Sequence, residues 1–271
     1  MLLPGVYDAL SARLAVAAGF ESIYVTGAGL ANSRLGVPDI GLTTIDQLAD
    51  HVAAISDRVE VPLVVDGDTG FGNAINVTHT VRKLERAGAA AIQFEDQIFP
   101  KKCGHFAGKA IIPLDEMCGK LQAALDSRRS PDTLIIARTD ARAIDGIEVA
   151  IERANRFREV GADLIFVEAP RSIEELQMVA DQVDAPLVAN MVEGGSTPIV
   201  GLEQLGTLGY SAVLYANAAL RSAQRAVTLA YEELRASGIS TKLEATMATW
   251  DERQAAVGKP LYDELEARYA S

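Results

Sequence analysis

The sequence predicts an α/β protein folded as a (β/α)8 TIM barrel, and three observations predict it. Eight strand-like segments alternate with eight helix-like segments along the chain. The strand-like segments are continuously apolar, as expected of parallel strands that are buried on both faces. The length of 271 residues suits one barrel with a short extension, and no linker-like stretch divides residues 1–240.

A repeated junction joins helix to strand. Four helix-like segments end in a glycine that stands two or three residues before a strand. Glycine readily adopts the left-handed conformation that closes a helix, so each of these glycines predicts a helix end. Two further strands are opened by a proline, in VEVPLVVDGD and VDAPLVANM. The four glycines are Gly19, Gly88, Gly161 and Gly209.

The elements are predicted in strict alternation. Each strand is a short apolar run, and each helix is a longer segment with a helical pattern. The predicted strands cover residues 2–5, 22–27, 62–68, 91–96, 133–140, 164–169, 186–191 and 212–217. The predicted helices cover residues 8–18, 44–58, 74–87, 113–128, 146–160, 172–183, 202–208 and 218–236.

An open, doubly wound sheet is the alternative arrangement of the same elements. Its usual dinucleotide motif is incomplete, because VTGAGLANS has no third glycine in place and no acid closes the next strand as expected. Residues 241–271 follow the eighth unit and contain further helix, with Trp250 and a break at Pro260. We expect this extension to pack on the barrel or on a partner subunit.

The charge balance excludes several classes of partner. The chain has 37 acidic and 25 basic residues and a net charge of −12, which disfavours nucleic acid and anionic membrane surfaces as partners. No apolar run approaches the roughly 20 residues of a membrane span, and the first residues lack a secretory signal pattern. Because only two cysteines are present, a reducing, cytoplasmic location is expected.

Carboxylates stand at the ends of successive predicted strands, where a (β/α)8 barrel has its active site. Asp66, Asp68 and Glu95 lie at two of these ends, and buried like charges repel strongly unless something compensates them. A divalent cation that prefers oxygen ligands would compensate them, so we predict Mg²⁺, or Mn²⁺, at this rim. The alternative for any single acid is a helix cap or a salt bridge.

The longest irregular connection, residues 97–112, concentrates basic residues beside a thiol. Lys102 and His105 are expected to lower the pKa of Cys103, which makes Cys103 a candidate acid/base or nucleophile on a loop over the site. The alternative is a solvated basic loop with an incidental thiol. The other basic residues of this loop are Lys101 and Lys109.

Other polar residues are given simpler interpretations. Arg138 follows the apolar run TLIIA and suits bidentate binding of a carboxylate. Cys118 is expected to be buried in a helix and unreactive. With three histidines in the chain, a zinc site is not expected, and His51 and His79 are predicted on helix surfaces.

Eight motifs together resemble the isocitrate lyase/phosphoenolpyruvate mutase superfamily, namely YVTGAG, GVPD, VVDGDTGFG, QFEDQ, PKKCGH, ARTDA, FVEA and NMVEGG. The resemblance covers residues 2–240. Its most specific part is KKCGH, which marks the carbon–carbon lyase branch. It implies a (β/α)8 barrel whose last helix is exchanged with a neighbouring subunit, giving a homotetramer built from two helix-swapped dimers.

The resemblance also implies roles for single residues. The implied metal ligands are Asp66, Asp68 and Glu95, with Asp39 in support. The implied catalytic residues are Cys103 as the general acid, His105 and Lys102, which tune it, Arg138 and Glu168. The implied substrate-binding residues are Tyr24, Thr26, Gly27, Ala28, Asp66, Arg138 and Asn190.

The implied reaction is a retro-aldol cleavage of a 2-hydroxy di- or tricarboxylate to an α-keto acid and a carboxylate. The base stays open between Glu168, Tyr24 and a metal-bound hydroxide. Phe106 stands where methylisocitrate lyases have an arginine that binds a third carboxylate. The segment NMVEGGSTP is similar to the dicarboxylate branch, so a substituted malate is the expected small-molecule substrate.

Three other functions remain as alternatives. The superfamily includes phosphonate enzymes of the carboxyvinyl-carboxyphosphonate and phosphoenolpyruvate mutase type, although phosphonate mutases typically replace the cysteine of KKCGH with asparagine. Some members decarboxylate oxaloacetate. A barrel that only binds keto acids is the third alternative, and the full set of metal acids together with Cys103 disfavours it.

Overall fold

A closed barrel of eight parallel strands forms the body of the protein. The computed structural model describes residues 1–102 and 108–270. The strands pair in chain order, and the eighth pairs with the first, which confirms the predicted (β/α)8 barrel and excludes the open sheet. The strands are β1 (Leu2–Val6), β2 (Ile23–Val25), β3 (Leu63–Asp66), β4 (Ala89–Glu95), β5 (Leu134–Thr139), β6 (Leu164–Val167), β7 (Leu187–Asn190) and β8 (Tyr210–Tyr215).

A helix follows every strand, as predicted. The helices are α1 (Ala9–Ala17), α2 (Gly27–Leu30), α3 (Ile45–Ser56), α4 (Ala74–Ala87), α5 (Leu114–Ser127), α6 (Arg142–Asp145), α7 (Ile147–Val160), α8 (Ile173–Gln182), α9 (Leu202–Leu208), α10 (Ala218–Ser237), α11 (Trp250–Ala256) and α12 (Lys259–Tyr269). Of these, α2 and α6 are short turns that the sequence did not predict. Over the described residues, no helix is long and apolar enough to cross a membrane.

The strands separate two apolar layers. Successive side chains of a strand point to opposite faces, and β6 shows the result. Ile165 and Val167 pack in the layer between strands and helices, whereas Leu164 and Phe166 belong to the layer inside the barrel. Both faces are therefore buried, which explains why the strands are continuously apolar in the sequence.

Glycines close the helices at the predicted junctions. Gly88 ends α4 with φ 104° and Gly161 ends α7 with φ 114°, both in the left-handed region that favours glycine. A β-carbon on Gly88 would also lie 2.1 Å from Oγ of Ser56. Space as well as backbone conformation therefore requires a glycine at this position.

The C-terminal helices differ from those around the barrel. The described parts of α10, α11 and α12 contain no buried residue. Arg13 of α1 donates a hydrogen bond through Nε to the carbonyl oxygen of Ala256, 2.5 Å away, which ties α11 to the barrel. The chain beyond residue 240 thus contacts the barrel but adds nothing to its core.

Two predictions about side-chain exposure were wrong. His51 lies on α3 but is buried, with 8% of its surface exposed. It stands three residues after Leu48 and four before Ile55, which are both buried, so it lies on the inner face of the helix. Cys118 is in a helix as predicted, but it is half-buried rather than buried. His79 is exposed on α4, as predicted.

A buried ion pair holds the end of β4 to α7. The carboxylate of Asp96 accepts hydrogen bonds from Nε of Arg153 at 2.8 Å, from Oγ1 of Thr139 at 2.7 Å and from the backbone N–H of Asp140 at 2.9 Å. Arg153 also donates to the carbonyl oxygen of Ile112. Because both charged groups are buried, neither has water to replace a lost partner.

Replacing Arg153 with methionine is expected to lower the free energy of unfolding by about 3–5 kcal/mol, because Asp96 would remain as a buried charge without its partner. Arg156→Met is the matched control on the same helix, since Arg156 pairs with Glu159 at the surface, and it should change little. Urea denaturation of both variants measures the difference. Equal stability of the two variants would contradict the assigned role of the buried pair.

Candidate active site

The side chains at the strand ends lie on the same face of each strand as the residues that fill the inside of the barrel. Residues two positions before them, such as Val64, Ile136 and Phe166, belong to the apolar layer inside the barrel. The alternation of the strand then directs polar side chains into the rim. They enclose a cavity of about 40 Å³. Its lining includes Tyr24, Thr26, Ala28, Asp39, Asp66, Glu95, Lys101, Lys102, Arg138, Glu168, Asn190, Val192, Leu214, Ala216 and Asn217.

Asp66 and Asp68 face the start of α2. The backbone N–H of Gly27 donates to Oδ2 of Asp66 at 3.2 Å, and the N–H of Asp68 donates to Oδ1 of Asp66 at 3.2 Å. A β-carbon on Gly27 would stand within 3.2 Å of both carboxylates. Asp68 itself has φ 49°, a backbone strain of the kind found at functional sites. Glycine at position 27 therefore lets the two acids approach the helix backbone.

Lys101 lies among these acids. Its ammonium group is 2.5 Å from Oδ1 of Asp39 and 2.8 Å from Oδ1 of Asp68, and the residue is 3% exposed. Burial alone would lower the pKa of Lys101, but Asp68 and the other acids around it raise it well above its usual value. The solvated-loop alternative is thus wrong for Lys101, which the sequence analysis named only as a basic residue of the loop over the site.

Glu95 is buried at the end of β4 with one oxygen unsatisfied. Among the described residues, no donor reaches its Oε1, and its Oε2 lies 3.4 Å from NH1 of Arg138. Burial raises the pKa of Glu95 well above its usual value, and it raises the pKa of Asp68 to about 6. Both shifts have the same main cause, which is the loss of hydration of a buried carboxylate.

Arg138 is already held by acids of the protein. Its Nε and NH2 donate to Asp140 at 2.9 and 3.2 Å, and NH2 lies 3.7 Å from Oε2 of Glu168. Lys109 also pairs with Asp140, at 2.5 Å. The guanidinium is therefore positioned by Asp140, two residues further along the chain, a contact that the sequence analysis did not predict.

The first substrate-binding segment predicted from the sequence also reaches the cavity. The hydroxyl of Tyr24 donates to Oε1 of Gln93 at 3.1 Å, and burial raises the pKa of Tyr24 well above its usual value. Oγ1 of Thr26 caps α2 by accepting from the N–H of Gly29 at 3.3 Å. On the far side of the rim, Nδ2 of Asn190 lies 3.4 Å from Oε2 of Glu168.

Hydrogen bonds to its backbone hold the start of the basic loop in place. The side-chain amide of Gln97 donates to the carbonyl oxygen of Lys102 and accepts from its N–H, at 2.8 and 2.9 Å. Nζ of Lys102 donates to the carbonyl oxygen of Gly108 at 2.7 Å. Lys102 lines the cavity, whereas the predicted catalytic residues Cys103 and His105 lie outside the described residues.

The site contains more acidic than basic side chains, and a bound cation would compensate the excess negative charge. Within the described chain, no three acidic, histidine or cysteine side chains converge closely enough to hold a metal ion as they stand. The ammonium of Lys101 instead occupies the space between two of them. The acids of this network are Asp39, Asp66, Asp68, Glu95, Asp140 and Glu168, and its buried bases are Lys101, Lys109 and Arg138.

Comparison with known sequences relates this chain to a family of enzymes. A sequence profile of the family described as phosphoenolpyruvate phosphomutase matches residues 1–235. The chain is 41% identical to the 2,3-dimethylmalate lyase of Eubacterium barkeri over 271 residues, all of this chain and 94% of the relative. It is 45% identical to the 2-methylisocitrate lyase of Aeropyrum pernix over 267 residues, 98% of this chain and 86% of the relative.

Solved structures have the same fold. A crystal structure of 2,3-dimethylmalate lyase, described as a PEP mutase/isocitrate lyase superfamily member, matches with a TM-score of 0.93 at 36% identity, covering 99% of this chain and 90% of that one. A crystal structure of phosphonopyruvate hydrolase with oxalate and Mg²⁺ matches with a TM-score of 0.89 at 30% identity, covering 100% and 94%. These findings confirm the resemblance inferred from the motifs.

Proposed function

The chain belongs to the phosphoenolpyruvate mutase/isocitrate lyase superfamily, and from this premise we propose that it is a carbon–carbon lyase acting on a 2-hydroxy carboxylate. The observation that supports this most is the excess of buried acids at the strand ends, beside Lys101 and Arg138. Such a site binds a cation and an anionic substrate together. The two relatives named above are both lyases.

The residues at the rim fit a bound Mg²⁺ ion. Mg²⁺ prefers oxygen ligands and keeps several waters, so one or two carboxylates suffice to hold it. We propose Asp66, Asp68 and Glu95 as the acids that hold it, directly or through water, with Asp39 in support. The unsatisfied Oε1 of Glu95 supports this choice. When bound, the cation would lower the pKa of the substrate hydroxyl and bind the adjacent carboxylate.

Backbone and side-chain donors would bind the anionic end of the substrate. The N–H of Gly27 at the start of α2 donates to Asp66 of β3, Ala28 lines the cavity, and Thr26 orders that turn. Arg138 lines the cavity with its guanidinium plane fixed by Asp140. A fixed guanidinium adds positive charge at a defined place, which favours a carboxylate in one orientation.

The cleavage requires a base and an acid from the chain. Tyr24 is a poor base, because its hydroxyl proton is committed to Gln93 and burial raises its pKa. We therefore propose Glu168 as the group that accepts the proton of the C2 hydroxyl. As the C2–O bond becomes a carbonyl, the C2–C3 bond breaks and its electron pair moves to C3. Cys103 then donates its proton to C3, and His105 and Lys102 adjust its acidity.

The neutral wall of the cavity favours alkyl groups on the substrate. Three residues form this wall. Val192 follows β7, Leu214 lies in β8, and Ala216 follows β8. An apolar surface beside a polar rim gains free energy by covering a methyl or methylene group. This supports a substituted malate, cleaved to pyruvate or a similar keto acid and a carboxylate.

We further propose a homotetramer of helix-swapped dimers. Helix α10 has 20 residues and no buried one, yet Val227, Tyr231 and Leu234 form an apolar stripe on it, and all three are exposed. On the barrel, Leu10 and Leu14 of α1 are also exposed. A long amphipathic helix with an uncovered apolar face needs a partner surface, and a second copy of this chain supplies one.

Mg²⁺ binding should depend on the charge of Lys101. Lys101→Met removes the ammonium group that contacts Asp39 and Asp68, so Mg²⁺ affinity is expected to rise about tenfold or more, because two positive charges a few ångströms apart repel strongly near a protein. Asp68→Ala should abolish binding. Titration calorimetry measures both. Lys102→Met is the control, since its ammonium contacts Gly108, and an equal rise there would contradict the assignment.

Turnover tests the proposed reaction directly. The purified protein with Mg²⁺ should release a keto acid from one or more alkylmalates, with pyruvate and glyoxylate assayed separately. Cys103→Ser should lower kcat at least about 100-fold, as loss of a general acid does. Cys118→Ser is the control, because Cys118 is a half-buried thiol on α5 outside the cavity lining, and it should keep full activity.

Three results would contradict the proposed lyase activity. The first is the absence of keto acid release from every alkylmalate and from methylisocitrate. The second is phosphonopyruvate turnover that survives Cys103→Ser, which would favour a phosphonate enzyme. The third is decarboxylation of oxaloacetate without any carbon–carbon cleavage of a hydroxy acid.

The oligomeric state should depend on the apolar face of α10. Sedimentation of the wild-type chain is expected to show a tetramer of 28.8 kDa subunits. Tyr231→Asp should give smaller species, because it buries a charge in the proposed interface. Glu232→Lys changes a charge on the polar face of the same helix and should leave the tetramer intact. A wild-type monomer would overturn this proposal.

A further inference from the structure

Asn217 occupies the N-cap position of α10 but does not cap it. Asparagine is among the best N-cap residues, because its side-chain oxygen accepts from the free N–H groups of the first turn. Asn73 does this at α4, where Oδ1 accepts from the N–H groups of Ile75 at 2.9 Å and Asn76 at 3.3 Å. The side chain of Asn217 makes no capping hydrogen bond. Capping therefore does not account for an asparagine at position 217.

Asn217 instead lines the candidate active site. Its Oδ1 is buried, and no donor from the described residues reaches it. The residue lines both the strand-end cavity and a second cavity of about 300 Å³ outside it. Ala28, Asp39 and Val192 line both cavities as well. Asn217 thus stands at the passage between the two, where a bound molecule would meet it.

The ends of β7 and β8 next to Asn217 carry no charged side chain, whereas Asp39 and Arg221 line the outer cavity beside it. In the ring of eight strands, β7 and β8 stand opposite β3 and β4, which hold the acids of the proposed cation site. The cavity-lining residues at the ends of β7 and β8 are uncharged, namely Asn190, Val192, Leu214, Ala216 and Asn217. Oδ1 of Asn190 is also buried without a donor among the described residues. Each of the two amides therefore has a buried oxygen without a donor in the described chain, while Nδ2 of Asn190 donates to Glu168.

We propose that Asn217 is a specificity-determining residue, which binds the substrate carboxylate that lies farther from the cation-binding acids. This rests on the proposed function, since it requires a substrate with two carboxylates. An amide turns over about its last bond to present either Nδ2 or Oδ1, and Nδ2 donates to a carboxylate. The first turn of α10, which Asn217 does not cap, adds N–H groups and the positive end of the helix dipole.

An amide suits this subsite, and the base that shares the outer cavity with it, Arg221, is paired with Glu193. The cation and Arg138 would already supply positive charge to the near end of the substrate. The remote carboxylate has to be held firmly enough to orient the C2–C3 bond and still be released with the product. A hydrogen bond from a neutral donor meets both needs, and it leaves the adjacent apolar wall of Leu214 and Ala216 free to contact alkyl groups.

Binding of malate and lactate to the Mg²⁺-loaded protein tests the subsite. The two ligands share the 2-hydroxycarboxylate end, and only malate has a second carboxylate. In calorimetric titrations, Asn217→Ala is expected to weaken malate binding about 10- to 100-fold, the effect of one hydrogen bond to a charged group, and to leave lactate binding unchanged. Asn217→Asp should weaken malate binding at least as much, because it adds a like charge.

Asn73→Ala is the matched control, because Asn73 caps a helix and lies outside the cavity. It should lower Tm by about 2–4 °C without changing malate affinity, whereas Asn217→Ala should leave Tm unchanged. The proposal would be overturned if Asn217→Ala weakened the binding of malate and lactate equally, or if it weakened the binding of neither. A wild-type protein that binds malate no more tightly than lactate would also overturn it. Since binding is measured without turnover, a failure of the lyase assay is a separate result.

Discussion

Several carboxylates are buried together at one end of this closed barrel, and their charge has to be compensated. Parallel strands bring all their carboxyl ends to the same rim, and β3 to β6 each end in at least one acid there. Lys101, Lys109 and Arg138 enter the rim and pair with those acids at 2.5 to 3.7 Å. The compensation is incomplete, because Glu95 keeps an unsatisfied oxygen. The remaining deficit of positive charge is what supports a divalent cation at this site.

The same constraint gives a different meaning to the net charge of −12. An acidic protein appears poorly suited to an acidic substrate, because like charges repel over long distances. Much of the relevant charge, however, is internal and fixed at the strand ends. There it would hold a cation, and the cation together with Arg138 and the lysines would make the cavity locally attractive to carboxylates. Acidity at the rim and affinity for an anion are therefore compatible.

The rim is divided into two halves of different chemistry. The half built by β3 to β6 contains the charged network, and the half built by β7 and β8 is neutral, with two amides and an apolar wall. A substrate with a polar, metal-chelating end and an alkyl-substituted remote end would match both halves in one orientation only. This asymmetry supports the proposed substrate class independently of the similarity to known lyases.

Much of the fold followed from local patterns. Continuous apolar runs, helix-closing glycines and strict alternation predicted all eight strands and the eight main helices, because each of those signals depends on neighbours in the chain. His51 shows how an isolated polar residue misleads. Its residue type suggested a surface position, whereas its spacing from Leu48 and Ile55 places it on the buried face of α3. The spacing was the better signal.

The sequence by itself determined the barrel, the strand-end acids and the motifs of the superfamily, because these depend on residue order and periodicity. Only the tertiary structure decided which charges meet. Lys101 lies 33 positions from Asp68 and 62 from Asp39 in the chain, yet it pairs with both, because the loop after β4 folds back over β3. Likewise, only the structure shows that Asn217 leaves α10 uncapped and buries its Oδ1 at the rim. Such contacts join residues that are distant in the chain, and the closure of the barrel creates them.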